Sequence, residues 1–290
     1  MVKIVVASGK GGVGKSMLAS SLALLFSKDK KVVACDCDVD APNMGLWLGV
    51  ESHDKSEKIS TSEKAEIDQA KCTKCGKCKN ICRFSAIELK EGQLKEGQFE
   101  INPFLCEGCG ACEIVCPVDA IKLKEVKNGE LRFKQTQYGF PLVSGQLYPG
   151  EAGSGKIVEE LRKRAEALDH DYIIMDAAAG IGCPVIASIR GTNFAVLITE
   201  PTPSGFSDLK RILEVVNHFN IPYGIVINKW DIHKKTSDEI EKWASDKMLG
   251  KISYDKKVID SIVNLQPVLF SDSKVVGEIK KILSRLKDNF

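Results

Sequence analysis

The sequence predicts an α/β fold, in which a mostly parallel sheet with flanking helices is interrupted by a smaller, cysteine-rich α+β unit. Two observations support this prediction. Short β-branched runs alternate with amphipathic helical patterns toward both ends of the chain, which is typical of a parallel sheet. Between them, from about residue 59 to residue 126, the apolar density falls and Cys and Lys dominate.

The first elements follow from the spacing of apolar residues. Residues 1–7 predict a buried strand, residues 8–16 a glycine-rich loop, residues 17–27 a helix and residues 31–36 a second strand. This order of strand, loop, helix and strand opens many parallel α/β sheets. Residues 51–58 are polar, and we expect them to form a linker.

The α/β pattern returns after the cysteine-rich segment. Helices are predicted over residues 157–168, 208–219 and 275–286, and strands over residues 172–175, 194–199 and 223–227. Asn128-Gly129, ahead of an apolar run, predicts a hairpin. We expect the apolar face of the last helix to pack on the sheet rather than on a membrane. The predicted domains are residues 1–58 with 126–290, and an inserted unit of residues 59–125.

Composition excludes several classes of protein. The chain has 290 residues, with 41 Lys and Arg against 39 Asp and Glu, and 43% of its residues are hydrophobic. It has no apolar run of about 18 residues, so we expect no transmembrane segment, and its first residues lack the pattern of a signal peptide. A net charge of +2 gives no general attraction to nucleic acid or anionic lipid. We therefore expect a cytoplasmic protein that binds neither nucleic acid nor membranes.

Residues 9–16 match the phosphate-binding pattern G-x-x-x-x-G-K-[ST] between a predicted strand and a predicted helix. Glycines allow successive backbone N–H groups to face phosphate oxygens, and the following helix presents its positive end to the same anion. Lys15 is expected to reach the terminal phosphates of ATP, and the Ser16 hydroxyl to ligate Mg²⁺. The predicted ATP-binding residues of this loop are Gly9, Lys10, Gly11, Gly12, Val13, Gly14, Lys15, Ser16 and Met17.

A second lysine in the loop, Lys10, is not required by the plain pattern. With it the loop resembles that of the deviant Walker A ATPases, which include MinD, ParA, Mrp and the nitrogenase iron protein. The resemblance implies a P-loop NTPase in which ATP drives closure of a homodimer, or of a heterodimer with a paralogue. It also implies that Lys10 reaches the partner's nucleotide and stabilises charge that develops on the phosphates.

Two acidic segments resemble the switch regions of the same ATPases. Residues 36–43 resemble switch I, which implies that Asp36 acts mainly on Mg²⁺ and Asp38 on the attacking water. Residues 176–182 resemble switch II, which implies that Asp176 senses Mg²⁺ and that the Gly180 N–H contacts the γ-phosphate. With the phosphate loop, the predicted catalytic residues are Lys10, Lys15, Asp36, Asp38 and Asp176.

Asn228 lies at the end of a later predicted strand. Its position matches the place where this superfamily contacts adenine through a side-chain amide. A strand-end Asn is also a common turn residue, so both interpretations stay open.

Eight of the 11 cysteines fall in two C-x2-C-x2-C-x3-C runs, which repeat with an offset of 34 residues. This is the spacing of bacterial two-cluster ferredoxins, in which the fourth cysteine of each run ligates the other cluster. Structural zinc or disulfides are the alternatives. The predicted ligands are Cys72, Cys75, Cys78 and Cys116 for one 4Fe–4S cluster, and Cys82, Cys106, Cys109 and Cys112 for the other. Outside the runs, we expect Cys183 to be a buried, packing thiol.

The order of these segments resembles CobQ/CobB/MinD/ParA nucleotide-binding proteins that carry an inserted bacterial-type ferredoxin domain. The resemblance implies an ATPase with the cofactors ATP, Mg²⁺ and two 4Fe–4S clusters. The first hypothesis is that nucleotide state controls electron transfer to a client metalloprotein or metal-cofactor assembly protein. The second is an ATP-gated carrier of iron–sulfur clusters, and the third a MinD/ParA-like positioning ATPase with a redox sensor.

Overall fold

The computed structural model describes residues 1–90 and 97–290, which form two compact units. The larger unit contains Met1–Glu57, Leu131–Gln146 and Ser154–Phe290, and the smaller contains Lys58–Glu130 and Leu147–Gly153. The predicted domain of residues 1–58 and 126–290 includes the segment Leu147–Gly153. In the structure it packs with the smaller unit.

Each strand and helix that the sequence predicts has a counterpart in the described residues, and the structure adds others. The strands are β1 (Val2–Ser8), β2 (Val32–Cys37), β3 (Lys55–Ile59), β4 (Ser62–Ile67), β5 (Ile87–Lys90), β6 (Gln98–Ile101), β7 (Ile121–Val126), β8 (Gly129–Gln135), β9 (Pro141–Leu147), β10 (Tyr172–Ala179), β11 (Phe194–Thr199), β12 (Tyr223–Asn228) and β13 (Met248–Ile252). The helices are α1 (Lys15–Phe26), α2 (Lys77–Ile81), α3 (Ala111–Ile114), α4 (Ser154–Glu166), α5 (Cys183–Ile189), α6 (Pro203–His218), α7 (Lys234–Ala244), α8 (Lys256–Val263) and α9 (Val275–Lys287). The elements that the sequence did not predict include α7, α8 and β13.

The main sheet has nine strands within the described residues, in the order β13-β12-β11-β1-β10-β2-β9-β8-β3. Strands β13 through β9 in this order pair in parallel, as predicted. The strands β2 and β11 are buried at every position because helices cover both faces. The register sets Asp176 of β10 beside Asp36 of β2. The carboxyl ends of β1, β2 and β10 therefore bring the phosphate loop and both predicted switch segments to one edge.

The last helix, α9, packs in the core as predicted. Its Val275, Ile279 and Ile282 are fully buried, in the same hydrophobic cluster as residues of α1. Among the described residues, no helix has the length and apolar character needed to cross a membrane.

Two local predictions around the smaller unit are wrong. Part of the expected linker is strand β3, which lies at the edge of the main sheet. Its first four residues are exposed, so its polar composition resembled that of a loop. Asn128-Gly129 does not form the hairpin turn. Strand β8 begins at Gly129, and the turn that follows it runs through Thr136, whose N–H donates to Phe140 O at 3.0 Å.

The smaller unit repeats its backbone as the sequence repeats its cysteines. Strands β4 and β7 pair antiparallel, as do β5 and β6, and each cysteine run contains one short helix. Gly76 and Gly110 precede these helices with φ angles of +73° and +76°. Ser85 and Asp119, which are also equivalent, have φ angles of +52° and +53°. The duplication is therefore structural as well as sequential.

Candidate nucleotide site and cysteine cavities

The phosphate loop joins the end of β1 to the start of α1 and requires glycine at two positions. A Cβ on Gly9 would lie 2.2 Å from the backbone oxygen of Asp208 in α6. Gly14 has a φ of +99°, and a Cβ there would lie 2.4 Å from Nδ2 of Asn228. Because both contacts leave no room for a side chain, the loop is held at its two ends by α6 and by the end of β12.

An open cleft lies over this loop, and its volume, including the solvent-filled opening, is about 1210 Å³. The predicted residues that line it are Gly11, Gly12, Gly14, Lys15, Ser16, Met17 and Asp38. Asp40 and Ala179 line it as well. Lys15 is buried, with 6% of its surface exposed. The cleft therefore brings the central part of the phosphate loop together with both predicted switch segments.

Lys10 is bound within its own chain. Its Nζ donates to Glu200 Oε1 at 2.6 Å and lies 3.5 Å from the Ser204 hydroxyl. Lys229 Nζ lies 3.7 Å from the other oxygen of Glu200. Residues 200–205 resemble a pattern of the nucleotide-binding proteins that carry an inserted ferredoxin domain, but sequence reasoning assigned Glu200 no role, because its contact with Lys10 spans 190 residues.

Asp176 is the residue whose surroundings most clearly fit a cation. It is fully buried, and neither carboxylate oxygen accepts a hydrogen bond from the residues that the structure describes. Burial raises the pKa of Asp176 to about 7, while the Ser16 hydroxyl and Lys15 oppose the shift. A buried carboxylate without partners carries a high desolvation cost. A divalent cation held beside Ser16 would remove that cost.

The switch I aspartates lie in two different environments. Asp36 is buried, and its two oxygens accept the backbone N–H groups of Asp38 at 3.2 Å and Met44 at 2.9 Å. Burial, followed by the charge of Asp176, raises the pKa of Asp36 well above its usual range. Asp38 is partly exposed in the cleft, and burial raises its pKa while Lys15 opposes the shift. Asp36 thus shapes the loop, and Asp38 faces the space above the phosphate loop.

Gly180 and Asn228, the other two predicted nucleotide contacts, bind protein groups in this structure. The Gly180 N–H donates to Ser8 O at 3.0 Å, so it does not point into the cleft. Asn228 Nδ2 donates to Val13 O at 2.8 Å, and its Oδ1 accepts the Lys229 N–H at 2.9 Å. Their roles toward nucleotide stay predictions. The structure adds that Asn228 holds the phosphate loop.

Two cavities in the smaller unit collect the eight cysteines in the predicted crossed sets. The first cavity is lined by Cys72, Cys75, Cys78 and Cys116. The second cavity is lined by Cys82, Cys106, Cys109 and Cys112. Apolar side chains complete both walls, among them Ile121 in the first and Ile87 in the second. Three cysteines of one run therefore share each cavity with the fourth cysteine of the other run.

Backbone N–H groups point at several of these sulfurs. The N–H of Ala86 lies 3.4 Å from Cys82 Sγ, and the N–H of Ala120, its repeat equivalent, lies 3.2 Å from Cys116 Sγ. The Ala65 N–H lies 3.4 Å from Cys106 Sγ. Hydrogen bonds to the sulfurs are a common feature of protein-bound iron–sulfur clusters. This donor set fits iron–sulfur ligation.

No group of three or more His, Cys, Asp or Glu residues among those described could hold a single metal ion. A 4Fe–4S cluster would not require such a group, because each of its four irons binds only one protein thiolate.

Cys183 is exposed, contrary to the expected buried thiol. Helix α5 begins at this residue, and its buried positions fall later, at Val185 and Ile189. A thiol in the first turn thus lies outside the core.

Comparison with known proteins places most of the chain in one group. Residues 4–268 match the profile of the CobQ/CobB/MinD/ParA nucleotide binding domain. An uncharacterized protein of Methanocaldococcus jannaschii is 41% identical over 288 residues, which cover 99% of this chain and 97% of that protein. A second uncharacterized protein of the same organism is 33% identical over 263 residues, or 90% of this chain and 88% of that protein.

Among solved structures, the septum site-determining protein MinD of Pyrococcus horikoshii, complexed with Mg-ADP, matches with a TM-score of 0.61. The match covers 98% of this chain and 95% of that one at 17% sequence identity, so it supports the fold.

Proposed function

The chain belongs to the CobQ/CobB/MinD/ParA nucleotide-binding family, and from this premise we propose that it couples its nucleotide state to electron transfer through two 4Fe–4S clusters. It is an ATP-binding P-loop ATPase of the MinD/ParA type. The electrons would go to a metalloprotein or a metal-cofactor assembly protein. The observation that carries the proposal is the crossed sharing of eight cysteines between two cavities.

For hydrolysis, we assign the phosphates to the backbone N–H groups of the phosphate loop and to Lys15, which lies buried in the cleft wall. Ser16, with Asp176 and Asp36 beside it, would hold Mg²⁺, which would supply positive charge to stabilise the phosphates. Asp38 lines the cleft and would orient the attacking water.

Dimer closure with ATP is part of the proposal. The side chain of Lys10 is 37% exposed and held by Glu200 of its own chain, so it does not line its own cleft. Because Lys10 belongs to the phosphate loop but does not line the cleft of its own chain, its side chain would be available to a nucleotide bound across an interface. In the closed dimer, Lys10 would exchange Glu200 for the phosphates of the partner subunit.

The clusters are proposed in the crossed sets named above. When bound, they supply one-electron redox chemistry. The chain contributes eight thiolates, the N–H groups of Ala65, Ala86 and Ala120 directed at sulfur, and apolar walls that limit water. Hydrogen bonding to the sulfurs and solvent exposure are the means by which a protein sets the potential of such a cluster.

The test uses full-length protein purified without oxygen. We expect about eight iron and eight sulfide per chain. We also expect EPR spectra, midpoint potentials or reduction rates that differ between ADP, ATP and a nonhydrolysable analogue. The variant Lys15→Ala should keep its iron and lose this dependence on nucleotide. Protein without iron, or clusters indifferent to nucleotide, would contradict the proposal.

Cluster donation is the second candidate function. It is favoured by the exposure of Cys75 and Cys109, which gives each proposed cluster one accessible ligand. Incubation with an apo-ferredoxin acceptor, with and without ATP, separates the two functions. Iron transfer to the acceptor supports donation, whereas reduction with full retention of iron supports electron transfer.

A further inference from the structure

The two cysteine runs carry opposite charge although they repeat one another. Residues 105–119 contain three acidic and no basic side chains, and residues 71–83 contain five basic and no acidic ones. We call the latter residues the basic segment; its charged members are Lys71, Lys74, Lys77, Lys79 and Arg83, and all five are exposed. The fold does not require this charge, because the other half forms the same helix and turns without it.

Two of the three acidic side chains in residues 105–119 form ion pairs with one lysine, whereas three of the five basic side chains in the basic segment form none among the described residues. Lys122 Nζ lies 3.3 Å from Glu113 Oε1 and 2.6 Å from Asp119 Oδ1. In the basic segment, Lys71 lies 3.4 Å from Asp68. Within the described part of the chain, no ion pair forms at Lys77, Lys79 or Arg83. Positive charge is therefore left for a partner at one half of the unit.

The basic segment forms part of the wall of the first cysteine cavity. Lys77 lines that cavity, and the exposed Cys75 lies between Lys74 and Lys77 in the chain. Val118, which also lines the cavity, and Ile81 of α2 are each 38% exposed. A patch in which basic side chains flank a few exposed apolar ones is typical of a protein–protein contact surface. A partner drawn to this charge would come close to the first cavity.

We propose that the basic segment is the docking site of an acidic electron-transfer protein, which exchanges electrons with the cluster of the first cavity. This inference rests on the proposed function. In the transfer, the acidic protein is oxidised by one electron, the cluster is reduced by one, and no bond or proton changes place. The observations favour a protein over nucleic acid, because Lys77 lines the same cavity as the exposed Val118, and Ile81 of the basic segment is exposed as well.

The test is stopped-flow reduction of the full-length, iron-loaded protein by a reduced acidic bacterial two-cluster ferredoxin. The variant Lys74→Gln/Lys77→Gln/Lys79→Gln should lower the second-order rate constant about tenfold at low salt and flatten its salt dependence. The matched control, Lys58→Gln/Lys90→Gln/Lys127→Gln, removes the same charge from exposed lysines outside the basic segment. It should change the rate less than about twofold.

Calorimetry with the oxidised ferredoxin and with a DNA duplex completes the test, because it needs no electron transfer. Equal rates in the two triple variants, or a duplex that binds the basic segment while the ferredoxin does not, would overturn the inference. Iron content and dithionite reduction must match wild type in both variants. A chain that binds the ferredoxin but holds no iron would refute the proposed function and leave docking intact.

Discussion

At the residue scale, the pairing of Lys10 with Glu200 holds the second lysine of the phosphate loop inside its own chain. In the proposed dimer, this pair would compete with the contact of Lys10 across the interface, so its strength would set part of the free energy of closure. A partly exposed ion pair of this kind contributes roughly 0.2–1 kcal/mol, which is enough to shift an equilibrium severalfold.

We predict that Glu200→Gln raises ATP-dependent dimerisation and turnover about twofold to fivefold, because Lys10 is released. Analytical ultracentrifugation and phosphate release measure the two effects. The control is Glu241→Gln, which breaks another pair of 2.6 Å, with Lys251, away from the cleft. Lower turnover in Glu200→Gln would mean that Glu200 assists hydrolysis rather than restraining Lys10.

The titration of Asp176 predicts a pH dependence for the nucleotide-free protein. Burial places its folded-state pKa at about 7, above the ordinary value of 3.8. Between these values the folded state binds a proton that the unfolded state has lost, so the free energy of unfolding should fall as pH rises and level off above pH 7.

The variant Asp176→Asn does not titrate, so its loss of stability between about pH 5 and pH 8 should be smaller than that of wild type by up to a few kcal/mol. Urea unfolding at several pH values, in buffer with EDTA, measures the free energy of unfolding of both proteins. The same variant should lose ATP hydrolysis. An unchanged pH profile would contradict the assignment to Asp176.

At the scale of elements, the end of β12 supports the phosphate loop through Asn228. Its Nδ2 bond to Val13 O is buried, and losing such a bond while the acceptor stays buried costs about 1–3 kcal/mol. A contact with adenine, the other interpretation of Asn228, would have no effect without nucleotide.

Asn228→Ala should therefore destabilise the nucleotide-free protein by about 1–3 kcal/mol in urea unfolding. Asn264→Ala, which removes an exposed side-chain bond to Asp260 O, should have little effect. If Asn228→Ala leaves the stability unchanged and abolishes discrimination between ATP and GTP, the side chain contacts adenine. Its bond to Val13 O then contributes little to the stability of the protein.

The elements show why part of the molecule could be predicted and part could not. The phosphate loop and the cysteine runs are local patterns, in which backbone conformation and chemistry are set by neighbours in sequence. Glu200 depends on a contact across 190 residues. The sequence pattern made Asn128 a turn residue, but the structure buries it fully. Its Oδ1 accepts the Thr61 N–H at 2.8 Å, and its Nδ2 donates to Ala152 O at 2.8 Å. Tertiary contacts of this kind leave no pattern along the chain.

At the scale of the whole molecule, the two units have cores of very different size. The larger has an extensive cluster that joins α1, α9 and the central strands. Among the residues that the structure describes, the buried cluster of the smaller unit has six members, of which Cys78 and Cys112 are two. Because a small core contributes little stability by itself, we expect the smaller unit to depend on what its cysteines bind.

Removal of iron with a chelator and an oxidant should therefore lower the thermal midpoint of the smaller unit and leave that of the larger one in place. Calorimetry should show a separate early transition for the smaller unit, while the transition of the larger unit, which contains the cleft, stays in place. A single, unchanged transition after complete iron loss would contradict this dependence.

One close approach links the nucleotide site to the outer surface of its unit. The backbone of α6 at Asp208 lies so near Gly9 that there is no room for a methyl group on Gly9. The segment that precedes this helix contains Glu200. A displacement of α6 toward Gly9 would therefore have to move the phosphate loop as well. Through this contact, a load on the helix would reach the loop without any contact with the nucleotide.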